Sequence, residues 1–429
     1  MKRPCYCVRH WRILLGLVLV PPLLWVAVLT LLPTKFARDK IAGRLSATSG
    51  RKVKIGALHV GFLGGVHLED LQIGAPASGD DPWLSVHSAT IDLHLFELFF
   101  GPIEPTQIEV DGMELRILRR VDGSLELADF LNPADPRVVS SSLDEPHGSH
   151  FVKLKVKDAK IVVLDNPTST RLAFEHVSGN VTCDGIVTTL SEIRGNLNAG
   201  TIQLAGRFDR SGTLPRFEGQ VRAREVAVGK GMGALGYFLP LLPGRDDPNP
   251  GKFEGRLALD FYMEGEGTSR EALRKSLAGR GLIDVDPIAL EGSATLSDLA
   301  RLLQVPHRER FGAVRADLVL AKGRMTSENL TLNVAKIPLI FSGWTDVEGV
   351  VNYRLKTDAI SDRVPREALQ FLNERDIDIK AIANVQVQGT VDAPKVWVDG
   401  RPLVDAKTGV DDGRRFREIG RRIRDRVRR

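Results

Sequence analysis

The sequence predicts a mainly β protein that begins with one transmembrane helix and contains only a few short amphipathic helices. Three observations lead to this fold class. An uncharged apolar run lies near the N-terminus, apolar and polar residues alternate along many later segments, and helical spacing is rare. Alternation with a period of two is typical of strands that bury one face, as in antiparallel sheets.

The uncharged run covers residues 13–32. Twenty helical residues, at about 1.5 Å each, span the roughly 30 Å hydrocarbon core of a bilayer. A cleaved signal peptide is the alternative, but the run is long for that role and no small-x-small cleavage site follows it. We therefore expect residues 1–12 to precede an uncleaved anchor. Each flank of the run carries four basic residues, so the positive-inside rule assigns no orientation.

Alternating apolar residues mark the strands of the body. The clearest sets are Ile91, Leu93 and Leu95; Val152, Leu154 and Val156; Leu257, Leu259, Phe261 and Met263; and Leu330, Leu332 and Val334. Glycines punctuate the strands, and we expect them in turns or bulges with positive φ. These glycines are Gly195, Gly200, Gly206, Gly212, Gly219 and Gly255.

Helical spacing is confined to four short segments, which are residues 36–47, 268–277, 294–304 and 365–373. Thr268 or Ser269 would cap the second of them, because hydroxyl side chains accept hydrogen bonds from the first turn. So few helices exclude a parallel sheet built from βαβ units.

The chain divides at an aperiodic segment rich in serine and proline, residues 136–150, which we interpret as a linker. It separates an N-terminal module, residues 33–135, from a larger region. That region is divided into residues 151–265 and 266–400, and a tail of residues 401–429 follows.

The charge distribution argues against nucleic-acid binding. The net charge is +5, but residues 1–12 carry +4 and residues 414–429 carry +7, so the rest of the chain carries −6. A nucleic-acid-binding domain places its basic residues on a folded face instead.

The tail has the pattern of a basic amphipathic helix. Phe416, Ile419, Ile423 and Val427 recur at helical spacing, and arginines that include Arg421 and Arg422 cover the other faces. Such a helix binds membrane surfaces. The alternatives are a disordered basic tail and a helix that docks on a protein partner.

Motifs for catalysis or metal binding are weak. Gly231, Gly233 and Gly236 match G-x-G-x-x-G, but prolines follow where a nucleotide-binding helix should begin, so we expect a mobile apolar loop at a groove rim or membrane. Asp284 and Asp286 form a D-x-D pair that turn chemistry explains better than metal binding or glycosyl transfer. Paired linker histidines, His147 and His150, lack further ligands in metal spacing. We therefore expect no catalytic residues, metal or cofactor.

Several segments of the body follow one another in the order seen in a known family. After the anchor, residues 40–76 contain Gly50 and Arg51 before a strand, and residues 82–131 contain Asp122 and Gly123 at a helical start. Further matching segments are residues 276–283 (SLAGRGLI), 316–333 (ADLVLAKGRMTSENLTLN), 341–355 (FSGWTDVEGVVNYRL) and 387–398 (VQGTVDAPKVWV). Their order, together with the anchor, extends over roughly 300 residues and resembles that of the AsmA-like family of bacterial envelope proteins.

The resemblance implies an elongated, twisted antiparallel sheet that curls into a half-pipe groove. It also implies an inner-membrane protein with a cytoplasmic N-terminus, a periplasmic body and phospholipid as its partner, in support of outer-membrane lipid homeostasis. The family supplies no catalytic residues. Candidate positions for the groove lining are Leu257, Leu259, Phe261, Leu330, Leu332 and Val334.

Two other functions remain as alternatives. A non-enzymatic assembly or scaffold factor for outer-membrane proteins would bind its partner at an exposed sheet edge. A membrane-tethered hydrolase would need a nucleophile, a base and an orienting residue, which the motifs do not supply. In the lipid-binding hypothesis, Leu332→Asp is expected to leave the protein folded and to reduce co-purifying lipid.

Overall fold

The structure is a computed structural model that describes part of the chain. The described residues are 38–39, 42–43, 46, 52–60, 65–74, 82–92, 106–121, 151–167, 170–229, 232–241, 255–288, 295–296, 298–299, 312–334, 337–356, 384–398 and 400–402. The expected anchor (13–32), linker (136–150), helix at 365–373 and basic tail (414–429) lie outside them. No helix within the described ranges is long and apolar enough to cross a bilayer.

The mainly β fold is confirmed, because nineteen described strands belong to one sheet and the helices are short. The first nine strands are β1 (Val53–Lys54), β2 (Ala57–Val60), β3 (Gly65–Gly74), β4 (Pro82–Asp92), β5 (Gln107–Arg119), β6 (Val152–Asp165), β7 (Thr170–Cys183), β8 (Val187–Leu197) and β9 (Gly200–Asp209). The others are β10 (Arg216–Val228), β11 (Gly255–Glu266), β12 (Ala278–Val285), β13 (Val314–Ala321), β14 (Arg324–Val334), β15 (Ile337–Asp346), β16 (Val350–Leu355), β17 (Val385–Thr390), β18 (Ala393–Val398) and β19 (Arg401–Pro402).

The helices agree with three of the four expected segments. Helix α1 (Arg270–Ser276) is capped by Ser269, whose hydroxyl accepts a hydrogen bond from the backbone N–H of Ala272 at 3.1 Å. Described residues within 36–47 and 294–304 are also helical. The aperiodic stretch after β10 contains a short 3₁₀ helix (Gly233–Tyr237).

The chain forms two compact units. Unit 1 comprises residues 1–117, 125–161 and 176–185. In it, β1 and β2 both pair with β3, and β3, β4 and β5 follow as antiparallel neighbours. Their apolar side chains form one cluster, against which Ala42 of the N-terminal helical segment packs.

One strand pair of unit 1 departs from the expected antiparallel arrangement. The N–H of Lys153 donates to the carbonyl of Thr106, and three residues further along β5, Glu109 contacts Lys155 and Lys157. Both strands therefore advance in the same direction, and β5 and β6 are parallel. The physical reason is the long connection between them, since parallel neighbours require a crossover of a dozen or more residues.

Unit 2 comprises residues 118–124, 162–175 and 186–429. Its strands β8 to β19 pair antiparallel, each with the next along the chain. Strand β13 shows the alternation most clearly, because every second residue from Val314 is buried and those between are exposed. We call the face that carries these buried residues the inner face and the opposite one the outer face.

Part of the inner face is covered by the chain itself. Residues 232–241, which we call the covering segment, contribute the fully buried side chains of Leu239 and Leu241 to the same apolar cluster as the strands. Ile288, Leu296 and Leu299 also belong to this cluster. The covered part of a potential groove surface is therefore an ordinary protein interior.

Several inner-face glycines provide room for aromatic rings. A Cβ atom at Gly343 would lie 2.8 Å from Cγ of Tyr353, and one at Gly265 would lie 2.7 Å from Cε1 of Phe217. The Tyr353 ring is completely buried, and this burial raises the pKa of its phenol to about 12. These glycines let rings of the neighbouring strand lie flat against the sheet.

The expectation that strand glycines adopt positive φ is wrong at five positions. The left-handed conformation is absent at Gly200, Gly206, Gly212, Gly219 and Gly255. At Gly200 and Gly255 the reason is space, because a Cβ atom would clash with the backbone of Val226 and the side chain of Val285, respectively.

Candidate functional site

The expected groove positions lie on the inner face of unit 2. The side chains of Leu257, Phe261, Leu330 and Leu332 are buried in its apolar cluster, and Leu259 is partly buried against that cluster. Val334 ends β14 and pairs through its backbone with Ile337; its side chain is outside the described part of the structure.

These positions belong to the covered part of the inner face. The ring of Phe238, in the covering segment, packs edge-to-face on Phe261 with ring centroids 5.7 Å apart. Leu330 and Leu332 are completely shielded from solvent. Alternation identifies the buried face of a strand, but it carries no information about what covers that face.

The inner face is open over β8, β9 and the first part of β10. Apolar side chains there are partly exposed, and Phe208 is exposed over 38% of its surface. We call this set the open half; its members are Leu190, Ile193, Ile202, Leu204, Phe208, Phe217 and Val221.

A row of cross-strand partners runs from the open half into the covered part of the inner face. Ile193 pairs with Leu204, Leu204 with Val221, and Val221 with Phe261. The first three are partly exposed, whereas Phe261 is buried beneath the covering segment. The open half and the covered half are therefore one continuous apolar surface.

A shallow depression crosses the open half, and we call it the furrow. Its floor is Gly206 of β9 and Gly219 of β10, which are directly paired. A Cβ atom at Gly219 would approach no atom closer than the carbonyl oxygen of Ala205, at 3.5 Å, so the space above the floor is open. Leu190 of β8 and Met263 of β11, which pair with these glycines, lie at the two ends.

Apolar side chains form both walls of the furrow. Phe208 and Phe217 are cross-strand partners on one side, and Leu204 and Val221 are partners on the other. The Cα atoms of Phe217 and Val221, four residues apart, are separated by roughly 13 Å at about 3.3 Å per residue. Three strand spacings separate β8 from β11, which gives a length of roughly 14 Å.

The outer face of β10 to β13 carries polar groups that pair with one another. Asp260 accepts hydrogen bonds from Gln220 at 2.8 Å and from Arg222 at 3.1 Å. Asp284 accepts from Nε of Arg315 at 2.9 Å, and this contact raises the pKa of the Arg315 guanidinium. One wall thus separates water from an apolar surface.

The motifs considered from the sequence acquire structural explanations. Asp284 lies within β12 and pairs with Arg315 of β13, so cross-strand pairing replaces the expected turn role. In the part of the chain that the structure describes, no group of three His, Cys, Asp or Glu residues has metal-binding geometry. Gly233 and Gly236 lie in a five-residue 3₁₀ helix. The expected apolar loop at a groove rim or membrane is wrong for Leu239 and Leu241, which are buried in the apolar cluster.

The furrow residues were missed from the sequence. The segment IQLAGRFD of β9 alternates correctly, and Gly206 occupies an inner-face position between Leu204 and Phe208. Alternation alone does not give the register between β9 and β10. Asp209 pairs with Arg216 across a six-residue turn, and this register places Gly206 beside Gly219. Counting outward from that turn would have paired the two glycines.

Comparison with the models of known protein families and with curated proteins finds no match to this chain.

Proposed function

We propose that this protein binds the acyl chains of phospholipids on the open half of the inner face and transfers or holds them within the bacterial envelope. The observation that carries the proposal is the furrow, a glycine-floored depression between two apolar walls that remains accessible to solvent. In this proposal the sheet acts as a half-pipe groove, and phospholipid is the ligand.

The energetics suit an acyl ligand. Each methylene group transferred from water to an apolar surface gains about 0.8 kcal/mol. Ten methylene groups in the furrow would gain at most about 8 kcal/mol, since one side of the chain stays partly exposed. Contiguous exposed apolar surface is uncommon in soluble domains and marks sites that bind apolar partners.

The scaffold alternative has less support. Partner binding by strand addition requires a long unpaired edge strand. The described strands at the ends of the pairing order, β1, β2 and β19, contain two, four and two residues. Short edge strands are typical of sheets that avoid such pairing.

The proposal includes a membrane anchor at residues 13–32, with the N-terminus cytoplasmic and the body periplasmic. We expect Leu24→Arg to shift the chain from the membrane pellet to the supernatant on alkaline carbonate extraction. An arginine near the centre of a spanning helix costs about 2.5–3.5 kcal/mol. Leu32→Arg is the matched control, because an arginine at the end of the run can extend to the interface. Equal retention of both variants would contradict the anchor.

The test of lipid binding is Gly219→Leu in the full chain, purified in mild detergent and examined by native mass spectrometry. The leucine side chain would fill the furrow and exclude at least two methylene groups of a ligand. That loss is worth about 1.6 kcal/mol, so co-purifying phospholipid should fall more than tenfold. The fold is retained, because the position is open.

Ala205→Leu is the matched control, because Ala205 is exposed on the outer face of the neighbouring strand. It adds the same side chain to solvent and should leave the lipid content of the wild type unchanged. A Gly219→Leu chain that carries as much phospholipid as Ala205→Leu would overturn the proposed function.

A further inference from the structure

Three large apolar side chains are exposed close together at one end of unit 2. Ile186 is 49% exposed, Leu214 45% and Phe208 38%. Ile186 and Leu214 lie on two adjacent turns, residues 184–186 before β8 and residues 210–215 between β9 and β10, and Phe208 lies near the end of β9. The N–H of Arg210 donates to the carbonyl of Ile186 at 3.1 Å, which joins the turns. We call Ile186, Phe208 and Leu214 the tip.

The tip is continuous with the furrow. Phe208 belongs to both, since it forms one furrow wall with its partner Phe217 and is also the most exposed apolar residue of the open half. Leu214 lies three residues before Phe217 in the same chain segment. A ligand that enters the furrow over this wall passes the tip first.

The charged groups around the tip are balanced and paired. Arg207 donates to Asp209 at 3.2 Å, and Arg216 lies 3.8 Å from Glu266. Hydrogen bonds from Ser211 and Arg207 lower the pKa of Asp209 to about 2, so this carboxylate stays ionised. With Asp184 and Arg210, the rim contains three acidic and three basic residues. Such a rim has no net charge with which to select a strongly charged partner.

We propose that the tip docks on the apolar interior of a lipid bilayer, by inserting Leu214, Ile186 and Phe208 beneath the headgroups. This inference rests on the proposed function, because a bilayer is the reservoir of the phospholipid that would fill the furrow. Large apolar side chains on turns, surrounded by paired charges, suit a zwitterionic interface. The balanced rim also means that salt has little effect on docking, unlike the docking of a polybasic surface.

The test uses the full chain with Cys5, Cys7 and Cys183 replaced by serine and an environment-sensitive nitrobenzoxadiazole dye on Leu214→Cys. On addition of phosphatidylcholine vesicles, we expect a severalfold rise in emission and a blue shift, unchanged at high salt. Val350→Cys is the matched control. It is another exposed apolar position of unit 2, 41% exposed, at the start of β16, and its dye should not respond.

A second variant guards against effects of the serine replacements. Leu214→Trp in the chain with native cysteines should be quenched by brominated phosphatidylcholine more strongly than Val350→Trp. Equal responses at positions 214 and 350 in both experiments would overturn the inference. A response at 214 that needs added protein and is absent with vesicles would identify a protein-binding tip and would likewise overturn it.

A failure of the tip to dock on a bilayer is distinguishable from a failure of the furrow to bind phospholipid. The variant Ile186→Asp leaves the furrow intact, so the chain labelled at Leu214→Cys should retain co-purified phospholipid while losing its emission response to vesicles. If the tip fails to dock but Gly219→Leu still removes bound phospholipid, the function stands and the inference falls. If both variants retain lipid and docking, both proposals fall.

Discussion

Replacing Leu332 by aspartate is expected to unfold unit 2. Leu332 is completely buried in the apolar cluster, between its partners Val314 and Leu339. The substitution removes roughly 2–3 kcal/mol of apolar burial and places a carboxyl group among the apolar side chains of the cluster. A total cost of about 5 kcal/mol or more consumes much of the 5–15 kcal/mol by which folded domains are stable.

The measurement is thermal denaturation of the full chain in mild detergent, combined with limited proteolysis. Val319→Asp is the matched control, because Val319 lies on the outer face of the neighbouring strand, is exposed, and pairs with Arg280. We expect its stability to change by less than about 0.5 kcal/mol. A folded Leu332→Asp chain with the melting temperature of Val319→Asp would contradict the buried position.

This result reverses the expectation from the sequence, in which Leu332→Asp stays folded and loses only lipid. That expectation assumed that an apolar strand face not covered by another sheet stays open. In the structure the covering segment and Ile288 belong to the same cluster as Leu332, so the position is structural. Gly219 replaces it as the site for testing lipid binding.

Gly343→Ala is expected to destabilise unit 2 by roughly 1–3 kcal/mol, although it adds only one methyl group. The new Cβ atom would lie 2.5 Å from Cα and 2.8 Å from Cγ of Tyr353, and it would also clash with the carbonyl oxygen of Asn352. Backbone atoms of β16 would have to move, because the completely buried Tyr353 ring has no free space.

Gly219→Ala is the control, since it makes the same change at another inner-face strand glycine. No atom lies closer than 3.5 Å to the added Cβ, so we expect a neutral or slightly stabilising effect, up to about 0.5–1 kcal/mol. Differential scanning fluorimetry compares the two variants directly. Equal melting temperatures would mean that Gly343 is not required beneath Tyr353.

The local structure was predictable wherever one physical rule decides it. Period-two alternation located β6, β11 and β14, because a strand with one buried face requires that pattern. Ser269 capped its helix as expected, because its hydroxyl satisfies an otherwise unpaired N–H group. Paired carboxylates and isolated glycines were harder to assign, because their roles depend on the neighbouring strand.

What could not be predicted depends on contacts between residues distant in sequence. The parallel pairing of β5 and β6 depends on the path of a connection without periodicity. The division of the inner face into open and covered halves depends on where residues 232–241 fold back. Their composition, with Leu239 and Leu241 on either side of Pro240, is equally consistent with an exposed loop and a buried one.

The ring of Phe261 has a consequence for selectivity. A Cβ atom at Gly279 would lie 3.1 Å from Cζ of Phe261, so the ring occupies the place where the furrow would continue from Met263 to the next strand. The recess therefore has a blind end. Under the proposed function, additional carbons of an acyl tail that already reaches Phe261 make no further contact with the furrow. The affinity should therefore level off with increasing tail length, and Phe261 sets the length at which it does so.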